Sequence, residues 1–375
     1  MSLNTDYSKK IFDYSSPQLP IASYTSSEVY AIEAQYLFPH APQYIGSKTM
    51  VPNLNDYYVL DWQDKAKALV NTPNGISLLS NICRHRQAIM LDGAGRTKNI
   101  VCPLHHWVYN LSGELIAAPH FDQKPCLKLD HQSLQEWQGL LFKENVDINL
   151  QLQALNHQPY FDFSHLQLDR VQIDDYNFNW KTFIEVYLED YHVAPFHPGL
   201  NEFVNCRQLD WQFNDHFSLQ TLGLNKDSSS TKMTPAYQHW KDVAINNDSN
   251  HTQSFGAIWL AYYPFLMIEW YPNTLVVSHI IPKGVNHCQN VTEFYYPKSI
   301  IEADRPFIQA QQAAYFETAQ EDKEICQRMH NGRLALYQQS RNEYGPYQYP
   351  MEAGLDHFHQ WYQQRLAKHL SHLKL

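Results

Sequence analysis

Short apolar runs punctuated by turn residues dominate residues 44–118. Tyr57–Leu60, Ile76–Leu79, Ile100–Cys102 and Trp107–Tyr109 are separated by Pro73-Asn74-Gly75, Asp92-Gly93-Ala94-Gly95 and Ser112-Gly113. That spacing predicts a small all-β unit. Further along the period changes. Trp180, Phe183, Ile184, Tyr187, Leu188 and Tyr191 recur at helical intervals and predict an amphipathic helix near residues 179–193. Ala257–Tyr263, Leu266–Tyr271 and Leu275–Ile281 read as strands, and from about residue 301 the pattern is helical to the end. Asn225–Thr231 and Asn246–Thr252 are polar enough to be mobile loops over a core. The expectation is an α+β protein, with a β unit early in the chain and helices at its C-terminal end.

Composition narrows the partners. The net charge of −10, from 28 basic and 38 acidic residues, argues against nucleic acid or an anionic membrane as the main partner. It leaves room for docking a protein with basic patches. No apolar run reaches the length of a membrane span, and the first residues lack the apolar core of a signal peptide. A cytoplasmic protein is expected. The six cysteines, Cys83, Cys102, Cys126, Cys206, Cys288 and Cys326, are widely spread, as in a reducing compartment where one or two do chemistry.

Two of those cysteines have histidines beside them. Cys83-Arg84-His85 is followed by Cys102-Pro103-Leu104-His105, each half at a strand-to-turn transition. Two thiolates and two imidazoles can hold a Rieske [2Fe–2S] cluster, with the thiolates on one iron and the imidazoles on the other. A zinc ion takes the same ligand set, although the single residue between Cys83 and His85 is less usual for a zinc hairpin. His106 is the poorer candidate, because neighbours on an extended segment face opposite ways.

A second constellation lies on the predicted helix. Glu185, Glu189 and His192 follow at steps of four and three and share one face. His197 comes five residues after His192, too far round a regular helix to meet it. Pro195 disfavours the helical conformation at Ala194 and can break the helix so that both imidazoles converge. Two histidines and one carboxylate form the facial triad of non-haem Fe(II) oxygenases. Asp322 is the candidate carboxylate, since Tyr315, Ala319, Asp322, Cys326 and Met329 fall on one helical face that is otherwise apolar or small. A buried carboxylate needs a partner, and a salt bridge to Arg328 or Arg333 is the alternative to a metal. Glu317, Glu321 and Glu324 fall off this face and are expected to be solvated.

From about Tyr44-Ile45-Gly46-Ser47 to Phe358-His359-Gln360-Trp361 the sequence resembles the α-subunits of Rieske non-haem iron oxygenases. These include aromatic-ring-hydroxylating dioxygenases and choline and carnitine monooxygenases. Cys83-x-His85 with Cys102-x-x-His105 matches the cluster motif, and Glu189-x-x-His192-x-x-x-x-His197 the iron motif. Asp322 falls where the family places its third iron ligand. The loops carry no further cysteine, unlike respiratory-chain Rieske proteins, so no disulfide pins them.

The resemblance implies an all-β Rieske domain at residues 41–150 and a helix-grip (START-like) catalytic domain at 151–375. The latter would be built on an antiparallel sheet with C-terminal helices, and residues 1–40 would pack on it. It also implies a homotrimer in which one subunit's cluster feeds the neighbour's iron, with Glu189 bridging a cluster histidine and an iron histidine. Electrons would come from NAD(P)H through a separate flavin or iron–sulfur reductase, since this chain has no nucleotide-binding fingerprint. Asn179 would sit near the iron.

Glutamate at position 189, where ring dihydroxylases usually carry aspartate, resembles the branch acting on quaternary ammonium compounds. The implied activity is O₂-dependent hydroxylation or demethylation of a small, quaternary-ammonium-like substrate. Ring dihydroxylation is the alternative. A Rieske electron carrier without its own substrate is a third reading, disfavoured by the long C-terminal half. Trp259, Tyr263 and Trp270, with Tyr262 and Tyr271, lie on runs expected to floor the pocket. Aromatic faces there could cage an ammonium by cation–π attraction, or could simply be core. His279 and Glu269 could reach a substrate or face solvent.

Overall fold

A computed structural model describes residues 18–156, 161–225, 234–247 and 256–371. The first half is β-rich. A seven-stranded antiparallel sheet runs in spatial order Tyr44–Ser47, Leu140–Lys143, His131–Trp137, Gly75–Ser80, Lys67–Thr72, Asp56–Val59 and Ala94–Arg96. A smaller sheet of Asn99–Val101, Val108–Asn110 and Leu115–Ala117 carries the loop containing Cys102 and His105.

The second half is built on another seven-stranded antiparallel sheet. Its strands are β1 (Leu166–Tyr176), β2 (Val204–Phe213), β3 (Phe217–Leu224), β4 (Ala257–Tyr262), β5 (Leu266–Tyr271), β6 (Thr274–Gly284) and β7 (His287–Pro297). Strands β2 to β7 form a continuous meander, and β1 joins beside β7 at the far edge. The central strands β4 and β5 are buried at every position. Their sequences are accordingly apolar almost throughout, with Glu269 as the exception. A two-residue turn joins β5 to β6, with Asn273 in the left-handed conformation that asparagine tolerates.

Burial on both sides has a specific cause. Ile258, Leu260, Ile268, Trp270, Leu275, Val277 and Tyr295 pack against Tyr44, Trp137, Leu140 and Phe142 of the first sheet. The alternate residues Trp259, Tyr271, Val276 and Phe294 pack against helices. The second sheet is thus a partition, with the N-terminal β unit on one face and a helical layer on the other.

The helices that bear on the site and its supports are α1 (Ser27–Tyr36), α2 (Trp180–Tyr187), α3 (Val193–Phe196), α4 (Pro198–Phe203), α5 (Pro235–Asn247), α6 (Arg305–Gln338) and α7 (Ala353–Leu370); short α-helices at Ala22–Thr25, Ile148–Gln151 and Lys298–Ala303 complete the described set. The long α6 starts where Asp304 accepts a hydrogen bond from the Phe307 amide and Pro306 occupies the first turn. Glu33 of α1 is fully buried against α2 and α7. It pairs with Lys181 Nζ at 2.5 Å and accepts from Trp180 Nε1 at 3.0 Å and Tyr362 OH at 2.5 Å.

The expected helix over residues 179–193 stops earlier, at Tyr187, because the chain turns at Leu188. The two expected loops fall mainly outside the described residues; Asn246 and Asn247 close α5. Among the described residues no helix is long and apolar enough to cross a membrane.

Candidate active site and metal centres

The two cysteine–histidine loops share one backbone pattern. The Cys83 amide donates to Ala88 O (2.9 Å) and the Gln87 amide donates to Cys83 O (3.1 Å). In the second loop the Cys102 amide donates to Trp107 O (2.8 Å) and the His106 amide to Cys102 O (3.0 Å). Gln87 and His106, each four residues after its cysteine, both adopt positive φ. That turn makes His106 a hinge of the loop. Buried Asn81 anchors the first loop by donating to Lys65 O and Leu91 O and accepting from the Leu91 amide.

Cys83 and Cys102 are buried and free, whereas His85 is partly exposed and His105 exposed. The imidazoles meet edge to face with centroids 4.6 Å apart, and Trp107 stacks on His85. Tyr109 OH accepts from the Arg84 amide (3.1 Å) and lies 3.5 Å from Cys83 Sγ, so its proton is free to stabilise a thiolate. Burial opposes ionisation of Cys83, but Tyr109 and the loop amides hold its pKa below the usual thiol range. Burial and the neighbouring His105 lower the His85 pKa, keeping the neutral ring a metal needs. Its Nδ1 is buried without a hydrogen-bond partner. Thiols paired inside and imidazoles paired outside fit a [2Fe–2S] cluster, which separates the two ligand types. A single tetrahedral ion would draw all four to one point. Among the described residues, the trio of ligand atoms that does converge within 4.8 Å is a different one.

That trio is His192, His197 and Asp322. The chain leaves α2 at Leu188, makes the single turn α3, and restarts at Pro198 as α4; His197 is the joint between α3 and α4. His192 Nε2 lies 3.0 Å from His197 Nε2, and Asp322 Oδ1 lies 2.9 Å from the latter and 3.6 Å from the former. Ligands at adjacent corners around an ion with bonds of about 2.1 Å lie about 3 Å apart, so the triangle fits iron. Each ring is oriented from behind. The Glu189 carboxylate sits against His192 Nδ1 and accepts from the His192 amide, and Glu321 Oε2 lies 2.7 Å from His197 Nδ1. Carboxylates on both Nδ1 atoms leave both Nε2 atoms for the metal. Burial works against a charged His192, yet Asp322 and Glu189 push its pKa up to about 10. The trio therefore attracts positive charge, which iron supplies. The alternative partners of Asp322 are engaged elsewhere: Arg328 with Glu324, and Arg333 with Glu185.

The metal trio opens on a cavity with about 840 Å³ of empty space, part of it open to solvent. Trp259 lines it, as expected, and so do Glu269, Tyr271, Tyr187, Tyr237 and Tyr315. Glu269 is 8 % exposed and accepts from Tyr271 OH (2.7 Å), which in turn accepts from Trp259 Nε1 (3.0 Å). Burial, then repulsion from Asp322, raises its pKa to about 7, with Tyr271 opposing.

Three expected pocket residues lie elsewhere. Trp270 is on the other face of β5, in the core shared with the N-terminal β unit, because alternate residues of a strand face opposite ways. His279 faces the same seam, edge-on to Tyr44 and Trp62, and burial lowers its pKa to about 3. Tyr263 lies past the end of β4, where it contacts His357, Phe358 and Trp361 of α7. Asn179 does not line the cavity either. Its side chain caps α2 through the Lys181 amide and donates to Val285 O. Glu185 is buried with Arg333, Tyr24 and His359 and borders the same small pocket as Glu189, away from the metal trio's cavity wall. Glu321, expected in solvent, orients His197.

Comparison with known proteins agrees with this geometry. Residues 42–136 match the Rieske [2Fe-2S] domain and residues 160–368 the ring hydroxylating alpha subunit (catalytic domain). A putrescine 2-hydroxylase of Ralstonia nicotianae is 49% identical over 93% of this chain and 95% of its own length. One from Bordetella bronchiseptica is 45% identical over 94% and 85%. A solved quaternary ammonium Rieske monooxygenase that oxidises carnitine superposes with a TM-score of 0.75 at 19% identity, covering 94% of this chain and 95% of that one. These matches imply a Rieske cluster and a mononuclear iron, and both ligand sets fit. The chain belongs to the ring-hydroxylating α-subunit family: it is the terminal oxygenase component of a Rieske-type system, an oxidoreductase that hydroxylates a small organic substrate.

Proposed function

We propose that the substrate is a small aliphatic amine carrying N–H groups, hydroxylated at a C–H bond. The observation that carries this reading is Glu269. It is an acidic side chain buried among aromatic rings in the cavity of the metal trio, and no protein cation is among the groups that shift it. A hydrocarbon ring in that cavity would leave the carboxylate desolvated and unpaired, which is costly. A trimethylammonium group offers charge but no N–H to accept. A protonated amine offers both, and the flanking rings add cation–π attraction. The likeness to putrescine 2-hydroxylases supports the same choice over the quaternary ammonium compounds expected from sequence.

When bound, the cluster supplies electrons and the iron activates O₂. Cys83, Cys102, His85 and His105 would hold the cluster, and His192, His197 and Asp322 the iron. One C–H bond becomes C–OH; the second oxygen atom leaves as water, consuming two electrons and two protons. Glu269 holds the ammonium so that its nitrogen has no free lone pair to offer the metal. The aromatic wall excludes water from the reacting carbon.

The electrons come from NAD(P)H through a separate reductase, and the working unit is a homotrimer in which one subunit's cluster serves its neighbour's iron. Two features support the trimer. Leu104 and Phe121 expose apolar surface beside the cluster histidines. Glu189, against His192, also borders a second pocket with Glu185, Arg333, Glu352 and His359. The test is a single turnover: reduce both centres without oxygen, add butane-1,4-diamine, choline, carnitine and naphthalene separately, admit O₂, and identify products by mass spectrometry. A hydroxylated diamine is expected. A naphthalene diol with unreacted amines would overturn the reading.

A further inference from the structure

Among the described residues, five tyrosines line the cavity: Tyr176, Tyr187, Tyr237, Tyr271 and Tyr315. The protein itself engages four of their hydroxyls. Tyr271 donates to Glu269, Tyr237 OH lies 2.5 Å from Thr318 Oγ1, Tyr176 meets Asn290, and Tyr315 meets Thr292. The Tyr187 hydroxyl is enclosed and has no hydrogen-bond partner. An enclosed polar atom left bare is costly unless a ligand satisfies it. A half-turn of the phenol ring leaves its oxygen in place, so the deficit does not depend on which way the ring is set.

Tyr187 is the last residue of α2, just before the turn that leads to His192, and it enters the cavity from the helical layer. Glu269 enters from β5 of the sheet. Trp259 joins the two. It lies directly opposite Glu269 across β4 and β5, and its ring is 6.3 Å from that of Tyr187. Cross-strand neighbours have Cβ atoms about 5 Å apart, so carboxylate and phenol flank one indole. Burial, then the charge of Glu269, keeps the proton on Tyr187 well above the usual phenol range. The neutral phenol oxygen can therefore accept a hydrogen bond without adding a second negative charge to the pocket.

We propose that Tyr187 determines specificity: its hydroxyl oxygen accepts an N–H of the ammonium that Glu269 binds, and so selects a primary ammonium over an N-methylated one. This rests on the amine reading above and deepens it to the degree of substitution at nitrogen. A primary ammonium has N–H bonds for both the carboxylate and the phenol. A dimethylammonium head has one, and must leave either Glu269 or Tyr187 unpaired. A site built to hydrogen-bond its ligand rejects an analogue that lacks the donor more strongly than an apolar wall rejects added bulk.

The test measures binding by calorimetry to the intact, iron-loaded protein without oxygen. The probes are butane-1,4-diamine and N,N,N′,N′-tetramethylbutane-1,4-diamine, dications with the same carbon chain. The unaltered protein should bind the primary diamine at least about tenfold more tightly, the factor that one hydrogen bond to a charged group supplies. Tyr187→Phe should weaken the primary diamine about tenfold and leave the tetramethyl compound unchanged. Because phenylalanine removes an unpaired hydroxyl, the amine-free variant should unfold at the same temperature or higher. A lower unfolding temperature would show that the hydroxyl serves the fold instead. Equal affinities in the unaltered protein, a preference that survives Tyr187→Phe, or an equal loss for both amines would also overturn the role of Tyr187, leaving the amine reading standing. If neither amine binds the unaltered protein, the amine reading fails and this proposal with it.

Discussion

Glu269 titrates inside a cavity, and that has a measurable sign. Burial and Asp322 raise its carboxyl to about 7, whereas an alkylammonium stays protonated well above that pH. Iron on Asp322 removes the repulsion but not the burial. With the ionised carboxylate required, kcat/KM for an amine should rise as pH increases through a carboxyl pKa that burial holds above the usual carboxylate range, and then level off. Glu269→Gln should abolish that step and raise KM by roughly a hundredfold, the order expected for losing one partner of a buried charge pair, about 3 kcal/mol. An unchanged pH profile in the glutamine variant would show that another group governs it. At this scale the seven candidate metal ligands were legible because ligand chemistry restricts residue type and spacing together. Glu321 was not: its neighbourhood on the helix predicts solvent, and only the tertiary approach of His197 gives it a role. Tyr263, Trp270 and His279 failed for the converse reason, since an aromatic-rich strand buried on both faces shows no alternation from which to choose the cavity side.

The elements were read at their centres and missed at their ends. The runs at Ile76–Leu79 and Leu266–Tyr271 lie within or coincide with observed strands, because turns rich in glycine, asparagine and proline bound them. The helix after Asn179 ends at Tyr187, although apolar residues continue at helical spacing to Tyr191; the continuation is a turn in which Leu188 is buried and Tyr191 is exposed. Nothing in the period could reveal that α1 is tied to α2 by a fully buried ion pair and to α7 by a hydrogen bond from Tyr362 to the same carboxylate. Lys181→Met should strand Glu33 without a counter-charge and lower stability by about 3–5 kcal/mol, measured by thermal unfolding under far-ultraviolet circular dichroism. Adding Glu33→Gln should recover most of that loss. A single substitution costing under about 1 kcal/mol would mean that Trp180 and Tyr362 satisfy Glu33 alone.

For the whole molecule, the trimer proposal makes a prediction that no single subunit can satisfy. Subunits carrying Cys102→Ser should lack a complete cluster site, and subunits carrying Asp322→Ala should lack an iron site. Each alone should be inactive with O₂ and reductant. Co-expressed under two affinity tags and purified through both, the mixed assembly should regain a substantial fraction of turnover, since an intact cluster can serve an intact iron next door. Persistent inactivity of a correctly mixed assembly would mean that electrons stay within one chain. The two-part architecture was visible in the sequence as a change of period. The assembly was suggested only by family resemblance, because surface complementarity leaves no periodic trace.

The two-faced second sheet sets the terms on which this catalyst could be redesigned. Along β5 and β7 the residues that line the cavity alternate with those that fasten the β unit carrying the cluster loops. A combinatorial library confined to Trp259, Glu269, Ser278, Asn290 and Thr292 would therefore vary substrate choice while sparing the seam. A library moved by one position along the same strands would sample domain misassembly instead of new specificity.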